Sequence, residues 1–264
     1  MGEIREGVRA RYARIATAFA EAASPTQCCQ DDARGLGQTA GAAPCCDQGC
    51  GCNGYRPEDL ASLGLSDAIS LGCGNPTALA ALVPGQVVLD LGSGAGLDVL
   101  LSAKRVGSSG HAYGVDMTDQ MVELAEHNRQ RAGVANASFL KGTMEQVPMS
   151  DASVDVVISN CVINLAEDKA AVLAEAFRVL RPGGTLAVSD MVEVEPLPAS
   201  VKREIDAWAG CIAGTIAVSD YRELLQQAGF EEVRIELQQS PGIAGPAGRV
   251  GSAAIWARKP RIDL

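Results

Sequence analysis

The sequence is poor in aromatic side chains, in histidine and in positive charge. Aromatic residues make up 4% of its 264 positions, too few for base-stacking platforms or aromatic cages. Histidine occurs twice; His111 falls at the start of a predicted strand and His127 on a predicted helix, so both read as surface positions rather than catalytic bases. Lys and Arg number 22 against 32 Asp and Glu, giving a net charge of −10. With no run of basic residues, that balance repels a phosphate backbone and excludes nucleic acid as a partner. Long apolar runs are also missing: no stretch approaches the roughly 18 uninterrupted residues of a membrane helix. The opening MGEIREGVRARYARIATAF is broken by Arg5, Arg9, Arg11 and Arg14, so it lacks the apolar core of a secretory signal. The expectation is a cytoplasmic protein without a membrane partner.

What is present is an ordinary soluble composition, 47% hydrophobic and 20% charged, on a chain long enough for one large α/β domain or a core with an extension. It also holds nine cysteines, an odd number in a chain too large to need disulfide staples. Four of them, Cys45, Cys46, Cys50 and Cys52, crowd into PCCDQGCGCN. Their spacing does not reproduce a paired C-x-x-C zinc ribbon and no histidine completes it; an accessory soft-ion site and a plain loop both remain open for it.

Ile4, Val8, Tyr12, Ile15 and Phe19 recur at helical spacing opposite a face of Arg and Glu, which predicts an N-terminal helix that docks on something. From residue 23 to about residue 55 the chain turns to Ala, Gly, Gln, Pro and Cys without periodicity and reads as a Cys-rich loop. Beyond Pro84, short apolar runs at 87–92, 112–117, 137–142, 154–162 and 184–191 alternate with helical periods at 118–131 and 168–180. That alternation predicts a doubly wound parallel sheet. A helix around 200–208, another over 220–228 and strands at 232–238 and 252–259 complete the reading. The expected organisation is 1–60 for the helix and Cys-rich loop, 61–195 for a Rossmann-like core, and 196–264 for a substrate-binding segment with the last two strands.

The core begins VVLDLGSGAG, a glycine-rich turn between a buried strand and a helix, where a ligand approaches backbone closely. Asp116 follows Gly92 by 24 residues, at the end of the second strand, where a carboxylate accepts ribose hydroxyls. Asp90 precedes a G-x-G-x-G turn rather than the G-x-G-x-x-G of nicotinamide enzymes, and no P-loop lysine is present. A carboxylate there suits a cofactor with a cationic amino-acid end, which favours S-adenosylmethionine. DLGSGAG, the ribose aspartate, Gly142-Thr143-Met144-Glu145 and RVLRPGG resemble the class I methyltransferases over roughly residues 83–260. The resemblance implies seven strands with the last antiparallel. It also implies that Asp90, Gly92 and Gly94 lie along the methionine portion, that Asp116 holds the ribose and that Met144-Glu145 flanks the adenine, with Ser93, Gly96, Met117, Gly142 and Thr143 also binding the cofactor.

Cys161 ends the fourth strand in SNCVINL, at the sheet edge where open α/β folds bind ligands. Cys73 in LGCGNP and Cys211 in WAGCIAG each sit beside glycine on other segments, one just before the first strand and one after the fifth, from which the three cysteines could meet above that edge. Three thiolates without histidine suit a trigonal, thiophilic centre better than tetrahedral zinc, and trivalent arsenic fits that description. Taken together, VRARYARIA, the Cys28-Cys29 pair, GCGNP, DLGSGAGLD, GVDMT, SNCVINL and WAGCIAG are similar to the arsenite S-adenosylmethionine methyltransferases. That resemblance implies an arsenic site at Cys73, Cys161 and Cys211, and redox pairing of Cys28 or Cys29 with Cys73. It implies Tyr12 closing over the methionine end with Asn160 beside it. Arsenite or its thiol complex is the implied substrate, and a thiol reductant, thioredoxin or glutathione, the implied co-reactant. Family members commonly have Gly after that tyrosine, where Ala13 stands, and some have Glu where Gly210 stands. The competing readings are a methyltransferase of a quinone-like organic acceptor and a metalloid-binding module without turnover.

Overall fold

In the computed structural model the described residues are 2–21, 55, 57–65, 72, 74–203, 212–238, 243–245 and 248–261. Cys28, Cys29, Cys45, Cys46, Cys50, Cys52, Cys73 and Cys211, and with them the predicted Cys-rich loop, lie outside these residues. The four central strands are β1 (Val87–Leu91), β2 (His111–Asp116), β4 (Val154–Asn160) and β5 (Leu180–Glu195), and β3 (Ala137–Lys141) lies outside β2. β1 and β4 are buried along almost their whole length, as their unbroken apolar runs demand of strands covered on both faces. Five strands pair in parallel in the order β3-β2-β1-β4-β5. β8 (Gly248–Arg258) then enters antiparallel between β5 and β6 (Glu231–Leu237), which gives the seven-strand path with an antiparallel last strand. A three-residue β7 (Ile243–Gly245), not foreseen, pairs antiparallel with β8.

Helices cover both faces. Leu89, Leu91, Val157, Leu186 and Val188 meet Leu173 and Ala176 of α6 (Lys169–Val179) and Tyr221 and Leu225 of α7 (Val218–Gln227). Val88, Val156, Ile158 and Ala187 meet Val99, Leu100 and Val106 of α4 (Leu97–Val106) on the other face, with Leu63 of α2 (Pro57–Leu63) closing the layer. Each fully buried Val, Leu or Ile among them contributes roughly 1.5–3 kcal/mol. α6 starts where Asp168 accepts the amide of Ala171 at 2.9 Å, one N-cap bond satisfying a donor that the first turn leaves open.

Three sequence readings change. β5 is a 16-residue strand that starts at Leu180 and runs to Glu195; β8 pairs along it from Thr185 onward, so the polar tail past Met191 stays extended. The predicted helix around 200–208 is, in its described part, a single 3-10 turn at Val201–Arg203. Two short helices, α2 and α3 (Pro76–Leu79), escaped notice because neither is long enough to show a period.

α1 (Glu3–Glu21) packs against α5 (Asp119–Arg131) with Val8 and Ala16 buried. This places the predicted apolar face of the N-terminal helix over the carboxyl ends of β1 and β2. No helix among the described residues is long and apolar enough to cross a membrane.

Candidate active site

The carboxyl ends of β1, β2 and β4 open on a cleft of about 1150 Å³ with its open solvent space included, at the strand ends where open α/β sheets bind ligands. Its floor is the β1–α4 turn. Gly92 takes φ +68° there, and a Cβ on it would stand 2.7 Å from Val162 Cγ2, so any side chain would both strain the turn and collide with the loop after β4. Ser93, Gly94, Asp116, Met117, Gly142, Thr143, Met144 and Glu145 line the walls, and Tyr12, Val8 and Ile15 of α1 roof it. Gly96 is the predicted cofactor residue that does not line the cleft: it caps α4 and faces Phe139 and Ala125.

Beside Glu145, three aspartates share this space. Asp116 accepts the amide of Gly94 at 3.0 Å and that of Thr118 at 2.8 Å; burial raises its pKa against those two bonds. Asp90 is 3% exposed, and burial, reinforced by repulsion from Asp98 and Asp116, pushes its carboxyl well above the usual range. Asp98 rises to about 6 through burial, opposed by hydrogen bonds from Tyr55 and Asn160. One oxygen each of Asp90 and Asp98 is buried without a hydrogen-bond partner. Two such acceptors at a cleft wall call for a cationic or donor-bearing ligand.

Asn160 joins the cleft to the segment that carries Cys73. Its Nδ2 lies 2.9 Å from the Tyr55 hydroxyl, 3.1 Å from Asp98 Oδ2 and 2.9 Å from the Gly74 carbonyl, and its Oδ1 accepts the Gly74 amide at 3.2 Å. Tyr55 in turn donates to Asp98 Oδ2 at 2.6 Å. Gly72 approaches so closely that a Cβ would fall 2.2 Å from Asn160 Cγ. The residues on either side of Cys73 are therefore fastened to the end of β4, the strand that Cys161 follows. Asn160 is bonded to Tyr55, and Tyr12 and Asn160 both line the cleft.

Cys161 lines the cleft, is 3% exposed, and takes φ +61°, a left-handed conformation that costs a residue with a Cβ roughly 1–2 kcal/mol. Its amide donates to the Ser189 carbonyl at 2.8 Å. It is disulfide-bonded, and as the one cysteine among the described residues it has its partner outside them. Among the described residues no three His, Cys, Asp or Glu side chains are grouped to hold a metal ion. His111 bonds Ser138 at 2.9 Å and His127 is exposed on α5; neither lines the cleft.

Arg5, Tyr55 and Asp98 are the site residues that sequence reasoning missed. Asp98 carried a signal, a carboxylate in the first helical turn after DLGSGAG. Arg5 and Tyr55 carried none, because only tertiary packing brings Arg5 to the cleft and Tyr55 to Asp98 and Asn160 behind its wall.

Residues 82–229 match the methyltransferase domain family. The arsenite methyltransferase of Halobacterium salinarum is 45% identical over 237 residues, covering 88% of this chain and 59% of that protein. That of Aquipseudomonas alcaligenes is 36% identical over 200 residues, 72% of this chain and 57% of the relative. The chain thus spans less than two thirds of the length of these curated relatives. Among solved structures, an arsenic(III) S-adenosylmethionine methyltransferase from Chlamydomonas reinhardtii superposes with a TM-score of 0.66 at 34% identity, over 80% of this chain and 76% of that one.

Proposed function

The chain belongs to the arsenic(III) S-adenosylmethionine methyltransferase family, and on that premise we propose that it methylates trivalent arsenic with S-adenosylmethionine. The observation that carries the reading is the meeting, in one cleft, of an acidic wall and the turn that bears Cys161.

S-adenosylmethionine, when bound, supplies an electrophilic methyl group on a sulfonium. The buried acceptors on Asp90 and Asp98 suit its ammonium group and positive charge. Asp116 spends one lone pair per oxygen on backbone amides and keeps others for ribose hydroxyls. Met144 and Glu145 are the residues for the adenine, and α1 excludes water from the far wall.

On the substrate side, Cys161 acts with Cys73 and Cys211 as a three-thiolate site for arsenite or its thiol complex. Arsenic brings its own lone pair as nucleophile, so the protein needs no general base, consistent with two histidines that stay out of the cleft. Each methyl transfer leaves arsenic oxidised by two electrons, and two thiols oxidised to a disulfide restore it. Cys28 or Cys29 pairing with Cys73, recharged by thioredoxin or glutathione, is the route we assign to those electrons. The disulfide at Cys161 must be opened by the same reductant before arsenic binds.

The test is product speciation after incubating purified protein with arsenite, S-adenosylmethionine and a thiol reductant. Methylated arsenic is expected, with at least a hundredfold loss of turnover in Cys161→Ser and a loss of arsenite affinity. Methyl transfer to a quinone-like acceptor and none to arsenite would overturn the reading, as would arsenite binding without release of S-adenosylhomocysteine.

A further inference from the structure

Behind the Cys161 turn lies a buried polar cluster that the chemistry above does not use. Asn164 and Asp190 are each 0% exposed. Asn164 Nδ2 donates to Asp190 Oδ1 at 2.6 Å and to the Met191 carbonyl at 2.8 Å. The same Asp190 oxygen accepts the Met191 amide at 2.9 Å. Lys169, at the start of α6, donates to the carbonyls of Asn164 at 3.2 Å and Ala166 at 2.9 Å. From α7 the Tyr221 hydroxyl faces the carboxylate without a well-aligned bond to it. Lys202, ion-paired with Glu193, stands at the outer edge.

The position of this cluster on β5 gives it meaning. Ser189 takes the amide of Cys161, Asp190 takes the side chain of Asn164, and the Glu193 amide donates to the Ile216 carbonyl at 2.9 Å, in the chain that leads away from Cys211. One strand end therefore anchors the turn bearing Cys161 and the segment following Cys211. Cys161 needs such an anchor. Its left-handed backbone is intrinsically unfavourable, and the 3-10 turn Ile163–Leu165 that follows is too short to hold itself. A charge-assisted bond to a buried carboxylate supplies direction that apolar packing lacks, whereas an apolar core at the same place would stabilise the fold equally well.

We propose that Asp190, acting through Asn164, is a positioning residue for Cys161: it fixes the thiol-bearing turn, registers it with the chain after Cys211, and so sets the affinity for trivalent arsenic without touching the metalloid. The inference rests on the reading of Cys161 as an arsenic ligand. Burial pushes Asp190 up to about 7 and Lys169 down to about 8, so the charge on the anchor is open to control near neutral pH.

The test uses the full chain under reductant with three measurements: arsenite affinity and S-adenosylhomocysteine affinity by calorimetry, and the rate at which iodoacetamide alkylates Cys161, followed on its peptide by mass spectrometry. Asn164→Ala is expected to weaken arsenite binding at least tenfold and to change the alkylation rate at least fivefold, with S-adenosylhomocysteine affinity within twofold. Asn164→Asp sets a second carboxyl against Asp190. At pH 6 the pair shares a proton and arsenite affinity stays within threefold of the unsubstituted protein; at pH 8.5 it falls at least tenfold. Unchanged arsenite affinity and alkylation in both variants would overturn the proposal. So would loss of both ligands in parallel with the melting temperature, or a loss in Asn164→Asp that does not vary with pH. Should the unsubstituted protein bind no arsenite, the reading of the site fails, while the alkylation rate of Cys161 in Asn164→Ala against the unsubstituted protein still decides whether Asp190, through Asn164, holds the turn.

Discussion

Asp98 keeps one carboxylate oxygen on Tyr55 and Asn160 and leaves the other buried without a partner. A ligand ammonium that completes this arrangement binds the ionised carboxyl, so ligand affinity must rise as pH climbs through about 6 and level off above it. Calorimetric titration of S-adenosylhomocysteine between pH 5 and pH 8 is expected to show that rise. In Asp98→Asn the rise is expected to shrink and the affinity at pH 8 to drop by about tenfold, the value of roughly one charge-assisted contact. An affinity in Asp98→Asn matching the unsubstituted protein at every pH would remove Asp98 from the cofactor site. Asp98 was visible in DLGSGAGLD as a residue type, but its role depends on Tyr55, 43 residues upstream, and no spacing rule connects the two.

At the level of elements, α1 is a separate piece of chain that completes the cleft. Arg5 pairs with Glu145 at 2.7 Å, with side-chain exposures of 28% and 16%, and its amide donates to Glu167 at 3.0 Å. A half-buried pair of this kind contributes about 1 kcal/mol, and the burial of Val8 adds more. If α1 is what retains the cofactor, Val8→Asp should raise the dissociation rate of S-adenosylmethionine at least tenfold in stopped-flow measurements, and Arg5→Ala about fivefold. The contacts that each variant loses also stabilise the unliganded protein, so the melting temperature is expected to fall in both, and more in Val8→Asp. An unchanged dissociation rate in Val8→Asp would mean that the helix merely covers the cleft. The apolar stripe from Ile4 to Phe19 announced that this helix docks; what it docks on was set by α5 and by the acidic residues that Arg5 and its amide reach.

For the molecule as a whole, buried ionisable groups shape the dependence of stability on pH. Asp190 titrates at about 7 in the folded protein against an ordinary value of 3.8, so between those values the folded state holds the extra proton and stability falls as pH rises. Asp90 and Asp98, also raised, act in the same direction. Lys169 is lowered from 10.5 to about 8; between those values the unfolded state holds the extra proton and stability rises with pH. The unliganded, reduced protein should therefore be least stable near pH 7 to 8, by a few kcal/mol relative to pH 5. Urea midpoints at intervals from pH 5 to pH 9.5 check this. Asp190→Asn should flatten the falling limb and Lys169→Met the rising one, and a monotonic profile in the unsubstituted protein would contradict the assignment.

The sequence alone determined what depends on local pattern: unbroken apolar runs for strands buried on both faces, helical stripes between them, a glycine turn after β1, and an acidic residue closing β2. These features are legible because backbone geometry forces a period of 2 or 3.6 on any chain that buries one side of an element, and because a turn crowded by Val162 tolerates only glycine at Gly92. Twelve of the thirteen residues expected at the cofactor, and Cys161, line the cleft. Tertiary structure decided what depends on distant segments meeting: Tyr55 and Asn160 converging on Asp98, Arg5 reaching Glu145, and Asn164 held by Asp190 behind a strained Cys161. Hydrogen bonds between residues 26 to 140 positions apart leave no period in the sequence. Their strength comes from burial, which exists only once the sheet and its helices have packed.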